Sequence, residues 1–157
     1  MREDDIQKTM KKIFIKTFWA IVNPSRKIYW FIFRPKTRGV KCIIKHQDKI
    51  LFVKIGYAHK GWTLPGGGVG RKETWEQAVR REVLEEVGIS VNEVTEVGQF
   101  TNNKEYKVDT VKCFLAEVSD EKYKIDNFEI VEGKWCKLNE APEPHKPRLI
   151  QILSYIK

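Results

Sequence analysis

Three glutamates, Glu82, Glu85 and Glu86, stand at positions i, i+3 and i+4 of a segment whose pattern predicts a helix. That spacing puts their carboxylates on one helical face, with Cβ atoms about 5–6 Å apart. Like charges crowded this closely repel unless a cation lies among them. An oxygen-only cluster suits a hard divalent ion such as magnesium, which tolerates water and phosphate as further ligands. Just upstream, Gly66, Gly67, Gly68 and Gly70 allow a tight loop in which backbone can approach a ligand closely. A metal platform beside such a loop is what hydrolysis of a phosphate anhydride requires.

The elements that must hold these residues are legible from periodicity. Residues 74–87 read as the helix, with Thr74 as its N-cap and Gly88 as the glycine that ends it. Val79, Val83 and Val87 recur every four residues and form an apolar flank beside the carboxylate face. Strand patterns precede and follow. Val40, Cys42 and Ile44 alternate with Lys41, Ile43 and Lys45, and residues 50–55 read as a buried strand after the polar turn at 46–49. Trp62-Thr63-Leu64 leads into the glycine loop. Further strands are expected over 94–100, 106–118 and 130–138, and a last helix over 146–156, where Leu149, Ile150, Leu153 and Ile156 have helical spacing. The order is that of an α/β fold with helices packed on a mixed sheet.

Residues 67–89 resemble the signature of a known family, the Nudix hydrolases of MutT type. Gly67, Glu73, Arg81, Glu82, Val83, Glu85, Glu86, Gly88 and Ile89 fill every defined position of the Nudix box, and the lead-in 62–69 is also similar. The looser resemblance runs from about Gly39 to Leu138. It implies an α/β/α sandwich over residues 37–157 and a magnesium-dependent pyrophosphohydrolase, with manganese as an alternative ion. On that resemblance Glu82, Glu85, Glu86 and the Gly67 carbonyl are the metal ligands, Gly67 and Gly68 meet the substrate, and Arg81 pairs with Glu73 to orient the loop. The base that takes the proton from water is then a glutamate of the box, Glu82 or Glu85, or one from a later loop, Glu129 before Glu132. The implied substrate is a nucleoside diphosphate linked to a moiety X, as in a nucleoside triphosphate or a nucleotide sugar. A non-catalytic nucleotide sensor and an RNA 5′-end pyrophosphohydrolase are the competing functions; sensors of this kind usually lose box glutamates, and here all are present.

Composition limits what else the chain does. With 157 residues and 41% hydrophobic content, a single domain of ordinary soluble type is expected. The net charge of +8 is uneven: residues 1–41 hold eleven Lys/Arg against three Asp/Glu, and residues 42–157 hold eighteen of each. The excess therefore belongs to a basic, aromatic N-terminal extension, residues 1–36. There Ile6, Met10, Ile13, Phe14, Phe18 and Ile21 recur at helical spacing among lysines. A helix packed on the domain is the first reading of it. A peripheral contact of residues 1–33 with anionic lipid is the second, and nucleic-acid binding the third. The acidic start and Lys16 argue against a signal peptide, and no apolar stretch is long enough to span a membrane. Cys42, Cys113 and Cys136 fit no zinc spacing and are expected to be buried thiols in a reducing compartment, the cytoplasm. The expected partner is a small nucleotide, with no specific nucleic acid; a homodimer is left open. His46, His59 and His145 are given no firm role, and Tyr57, Phe100 and Tyr106 are candidates to stack on a base.

Overall fold

The structure, a computed structural model, describes residues 36–56, 61–102, 108–125, 129–143 and 148–156. The N-terminal extension through residue 35, with Tyr57, His59, Tyr106 and His145, lies outside the described residues. Residues Thr37–Asn102 and Asp109–Lys157 form one compact unit.

Its elements are β1 (Lys36–His46), β2 (Lys49–Ile55), β3 (Trp62–Thr63), α1 (Trp75–Val87), β4 (Thr95–Asn102), β5 (Val108–Glu117), β6 (Ile130–Lys137) and α2 (Leu149–Leu153). One six-stranded sheet runs β3-β2-β1-β5-β4, with β6 paired to β2. Thr37 bonds Asp109 and the Val118 N–H bonds the Lys45 carbonyl, so β1 and β5 ascend together, whereas β2 runs antiparallel to β1, β3 and β6. The sheet is mixed, as expected.

Alternation along the strands divides the core between the two faces. Val40, Cys42, Ile44, Leu51 and Val53 face α1 through Ala78, Val79, Val83 and Val87, all of them buried. Ile43, Ile50 and Phe52 face Leu149, Ile152 and Leu153 of α2 on the other side. This is the expected α/β/α sandwich. The three cysteines are free and buried, and burial pushes the Cys42 and Cys113 thiols up to about 12.

Helix α1 begins and ends where its caps dictate. The Thr74 hydroxyl accepts from the Gln77 N–H while the Gln77 side chain accepts from the Thr74 N–H, a reciprocal capping box. Gly88 adopts φ 66°, and its N–H donates to the Leu84 carbonyl. The C-terminal helix is shorter than its apolar spacing predicts: five residues of α2 pass into a 3-10 turn at Ser154–Ile156. Tyr155 fixes that turn. Its ring covers Gly98 and its hydroxyl donates to the Gln99 carbonyl, which draws the chain onto β4.

One feature of the sheet sets up the site. β6 lines β2 from Lys49 to Ile55, while β1 pairs with the start of β2 and β3 with its end. The chain leaving β3 then crosses to β1, where Cys42 N–H donates to the Pro65 carbonyl and Val40 N–H to the Gly67 carbonyl, both at 2.9 Å. The glycine loop is thus an irregular strand wedged between β2 and β1.

Candidate active site

Gly66 is the tightest point of the loop. It has φ +133°, and a Cβ there would lie 2.3 Å from the Val40 carbonyl oxygen, so only glycine fits against β1. Its N–H donates to Glu86 Oε2 at 2.8 Å. Glu86 is 93% shielded from solvent, leaving 7% exposure. Burial, with help from the neighbouring Glu82 and Glu129 charges, raises its carboxyl to about 7, against the opposing pull of Lys41 and the Gly66 N–H.

Arg81 organises the remaining acids. Its Nε and Nη2 grip Glu73 in a two-pronged pair at 2.8 and 3.0 Å, Nη2 also donates to the Gly68 carbonyl, and Nη1 donates to Glu82 Oε1 at 2.8 Å and Glu85 Oε2 at 3.1 Å. One guanidinium therefore ties the loop, the turn before α1 and two glutamates of the helix together. Glu73 also accepts from the Gly70 N–H, and Arg81 together with that N–H holds its carboxyl down at about 2. A depressed native value means that Glu73 stabilises the fold above the ordinary carboxylate range and loses that contribution as pH falls toward 2. Glu73→Gln should accordingly lower the melting temperature at pH 7, with the gap to wild type closing between pH 4.5 and 2. A gap that persists unchanged at the acid end would contradict the pairing.

The three helix glutamates share a face but not an environment. Glu82 is mostly covered, its side chain 13% exposed, whereas Glu85 is 61% exposed. Glu82 rests against Gly67, where a Cβ would come within 2.6–2.7 Å of the carboxylate atoms. At Gly68 a Cβ would meet nothing within 4 Å. The two substitutions should therefore differ. Gly67→Ala displaces a movable carboxylate and should cost activity, roughly tenfold or more, with little loss of stability. Gly68→Ala should fold normally, and a rise in KM would report substrate in that open space. An unchanged KM would remove Gly68 from the binding set.

The donor types suit a hard divalent ion: carboxylates of Glu82, Glu85 and Glu86, with the Gly67 carbonyl of the adjoining loop. Among the described residues, no three His, Cys, Asp or Glu side chains converge closely enough to hold one ion as they stand. Arg81 takes up the space between Glu82 and Glu85, and the Gly67 carbonyl already accepts one N–H, leaving it a second lone pair. An ion bound there would have to share or displace these contacts.

Of the later-loop acids, Glu129 lies close enough to Glu86 for its charge to raise the Glu86 carboxyl, while Glu132 is turned outward in an ion pair with Lys54 at 3.1 Å. Phe100 is partly buried against the α2 face with Arg148 over its ring, and His46 bonds the Val118 carbonyl. One residue escaped the sequence reading altogether. Lys41, named there only as one of the residues alternating with Val40, Cys42 and Ile44, donates to the Leu64 and Gly66 carbonyls at 2.6 and 2.9 Å and sits by Glu86 and Glu82. Its only signal was a charge in the middle of an apolar run.

Comparison with known proteins adds to this geometry. The family model described as NUDIX domain matches residues 35–156. The NAD-capped RNA hydrolase NudC of Salmonella heidelberg is 30% identical over 132 residues, which is 81% of this chain but 48% of that protein. The chain thus spans about half the length of the curated relatives it matches. Among solved structures, the MutT NUDIX hydrolase from Burkholderia pseudomallei superposes with a TM-score of 0.72 at 23% identity, covering 78% of this chain and 99% of that one. The NUDIX domain of Shewanella oneidensis NrtR, crystallised with ADP ribose, gives 0.69 at 20% identity, covering 80% and 88%.

Proposed function

The chain belongs to the NUDIX domain family, and from that membership we propose that it is a divalent-metal-dependent pyrophosphohydrolase, cleaving the diphosphate linkage of a nucleoside diphosphate joined to a moiety X. The observation that carries this reading is that Glu86 accepts from the Gly66 N–H, Glu82 lies against Gly67 and Arg81 links Glu82 and Glu85 to the Gly68 carbonyl, with the Glu129 charge near enough to act on Glu86. Glu82, Glu85, Glu86 and the Gly67 carbonyl would hold the ion, magnesium by preference and manganese as a substitute. When bound, the ion supplies charge neutralisation at the phosphate oxygens and a more acidic water.

The chain's own residues supply the rest. Arg81 fixes the separation between the loop and α1 by spanning Gly68, Glu73, Glu82 and Glu85. Gly68 leaves room at the loop surface for the diphosphate. A carboxylate must accept the proton of the attacking water. The candidates are Glu82 and Glu85 of the helix, both bonded to Arg81, and Glu129 of the later loop. If the later-loop acid is the base, Glu129→Gln should lower turnover strongly with little change in metal affinity. If the box supplies it, Glu82→Gln or Glu85→Gln should dominate. Small, equal effects at all three positions would send the proton to solvent.

A second reading is favoured by one finding, the similarity to a hydrolase of NAD-capped RNA. In that case X is an RNA 5′ end. A sensor without activity is disfavoured by the intact set of glutamates. The whole of residues 37–157 is taken as the catalytic domain, and the buried free thiols accord with a reducing, cytoplasmic setting. Among the described residues no helix is long and apolar enough to cross a membrane; lipid contact by residues 1–33 would be detected as salt-sensitive co-sedimentation of the full chain with anionic vesicles. The test of the main reading is chelation: EDTA should abolish turnover of a diphosphate substrate and excess magnesium should restore it.

A further inference from the structure

Every carbonyl from Leu64 to Gly68 has a donor, and the donors alternate. Pro65 and Gly67 turn toward β1 and accept from the Cys42 and Val40 N–H groups. Leu64 and Gly66 turn the other way, where no backbone donor among the described residues meets them, and both accept from the Lys41 ammonium. Gly68 accepts from Arg81. An extended segment points successive carbonyls to opposite sides, so a wedge between strands satisfies one set through the ladder and leaves the other to side chains. Lys41 is rooted in β1 itself, between the two residues whose N–H groups hold the first set. Strand and side chain together clamp both sides of the loop.

The clamp bears directly on the carboxylates. Gly66, whose carbonyl Lys41 holds, gives its N–H to Glu86, and the next residue, Gly67, is the surface on which Glu82 rests. The Gly66 N–H belongs to the Pro65–Gly66 peptide, which lies between the two peptides whose carbonyls Lys41 holds, so a turn of either flanking peptide would shift both contacts. The ammonium is also drawn toward the Glu86 and Glu82 charges, although burial works against its own charge.

We propose that Lys41 is a positioning residue of the metal site: it holds the Leu64 and Gly66 carbonyls so that Gly66 orients Glu86 and Gly67 seats Glu82. The proposal rests on the metal-dependent reading above. Removing the ammonium leaves two partly buried carbonyls without a donor, and the loop must turn to find solvent for them. Groups that orient metal ligands from behind typically affect metal affinity or activity ten- to a hundredfold, roughly.

The experiment uses the full chain as wild type, Lys41→Met and Lys41→Arg. Manganese binding is followed by the electron paramagnetic resonance of the free ion, alongside kcat and KM with magnesium. Lys41→Met should weaken manganese binding about tenfold or more and lower kcat with KM nearly unchanged. Lys41→Arg, whose guanidinium can still reach both carbonyls, should recover most of both losses. Wild-type manganese affinity in Lys41→Met, a change confined to KM, or failure of Lys41→Arg to recover would each overturn the proposal; the KM result would make Lys41 a substrate contact. Should Lys41→Met not fold, Lys41→Gln, which keeps an amide donor, is read by the same two measurements. A wild-type chain that neither binds manganese nor cleaves a diphosphate sinks the parent reading instead, so the two failures are distinguishable.

Discussion

Glu86→Gln is expected to lower turnover at least about a hundredfold, the scale of losing a charge that holds the metal against the transition state, and to leave the metal-free fold at least as stable as wild type. The two halves have one cause. Glu86 is buried, and its carboxyl is raised to about 7, so its charge is a burden on the folded chain unless a cation offsets it. The amide oxygen of glutamine can still accept the Gly66 N–H at the same place, so geometry is preserved while charge is lost. Glu85→Gln should match it in turnover. That side chain is mostly exposed and its bond to Arg81 contributes little to stability, about 0–1 kcal/mol for an exposed pair. Either variant keeping near-normal magnesium-dependent turnover would remove its residue from the metal site, and a Glu86→Gln protein that melts well below wild type without metal would contradict the account of its burial.

The largest expected loss of stability lies at a neighbouring glycine. Gly66→Ala forces a side chain into a backbone conformation at φ +133° and drives its Cβ to 2.3 Å from Val40 O and 2.9 Å from the Lys41 Cα. None of these atoms is the end of a flexible side chain, so the clash cannot be relieved by a rotamer. Backbone strain of about 1–3 kcal/mol adds to overpacking of about 1–3 kcal/mol. A melting-temperature drop on the order of 10 °C is expected for a domain of this size. Glu86 would lose its N–H donor in the same movement. Gly67→Ala, one residue on, meets the Glu82 carboxylate as its nearest neighbour, a movable group, and should melt close to wild type. Equal melting of the two variants would show that the loop is not seated on β1 as described.

These contrasts indicate what the sequence could and could not disclose. Helix α1 was readable to the residue, because its signals are local: Thr74 caps it, valines every fourth residue bury it, and Gly88 ends it. The pairing of Arg81 with Glu73 and the sharing of one face by Glu82, Glu85 and Glu86 follow from spacing within that short stretch and the family resemblance. Lys41 was not readable. Its role depends on the register between β1 and a loop 23 residues further on, and a lysine in an alternating strand looks like any solvent-facing residue. The unequal burial of the three glutamates was equally hidden, since it arises from the loop folding over Glu86 and not from the helix. β1 begins at Lys36, ahead of the apolar pattern at Gly39, because its first residues are held by polar contacts such as Thr37 with Asp109, which hydrophobic periodicity does not register. At the C-terminus the apolar spacing was right, but a tertiary contact of Tyr155 with β4 overrode continuation of the helix.

Metal-dependent attack of water on a phosphorus of a diphosphate linkage is tested most directly by hydrolysis in 18O-labelled water. Purified full-length protein with magnesium would be offered nucleoside triphosphates, ADP-ribose, nucleotide sugars, and NAD-capped and 5′-triphosphate RNA, with the products analysed by mass spectrometry. The account predicts cleavage of at least one of these at its diphosphate, with the label in a single phosphate product and none formed in EDTA or by Glu86→Gln. Label found outside the phosphate products, turnover indifferent to EDTA, or no cleavage across the whole panel would contradict it.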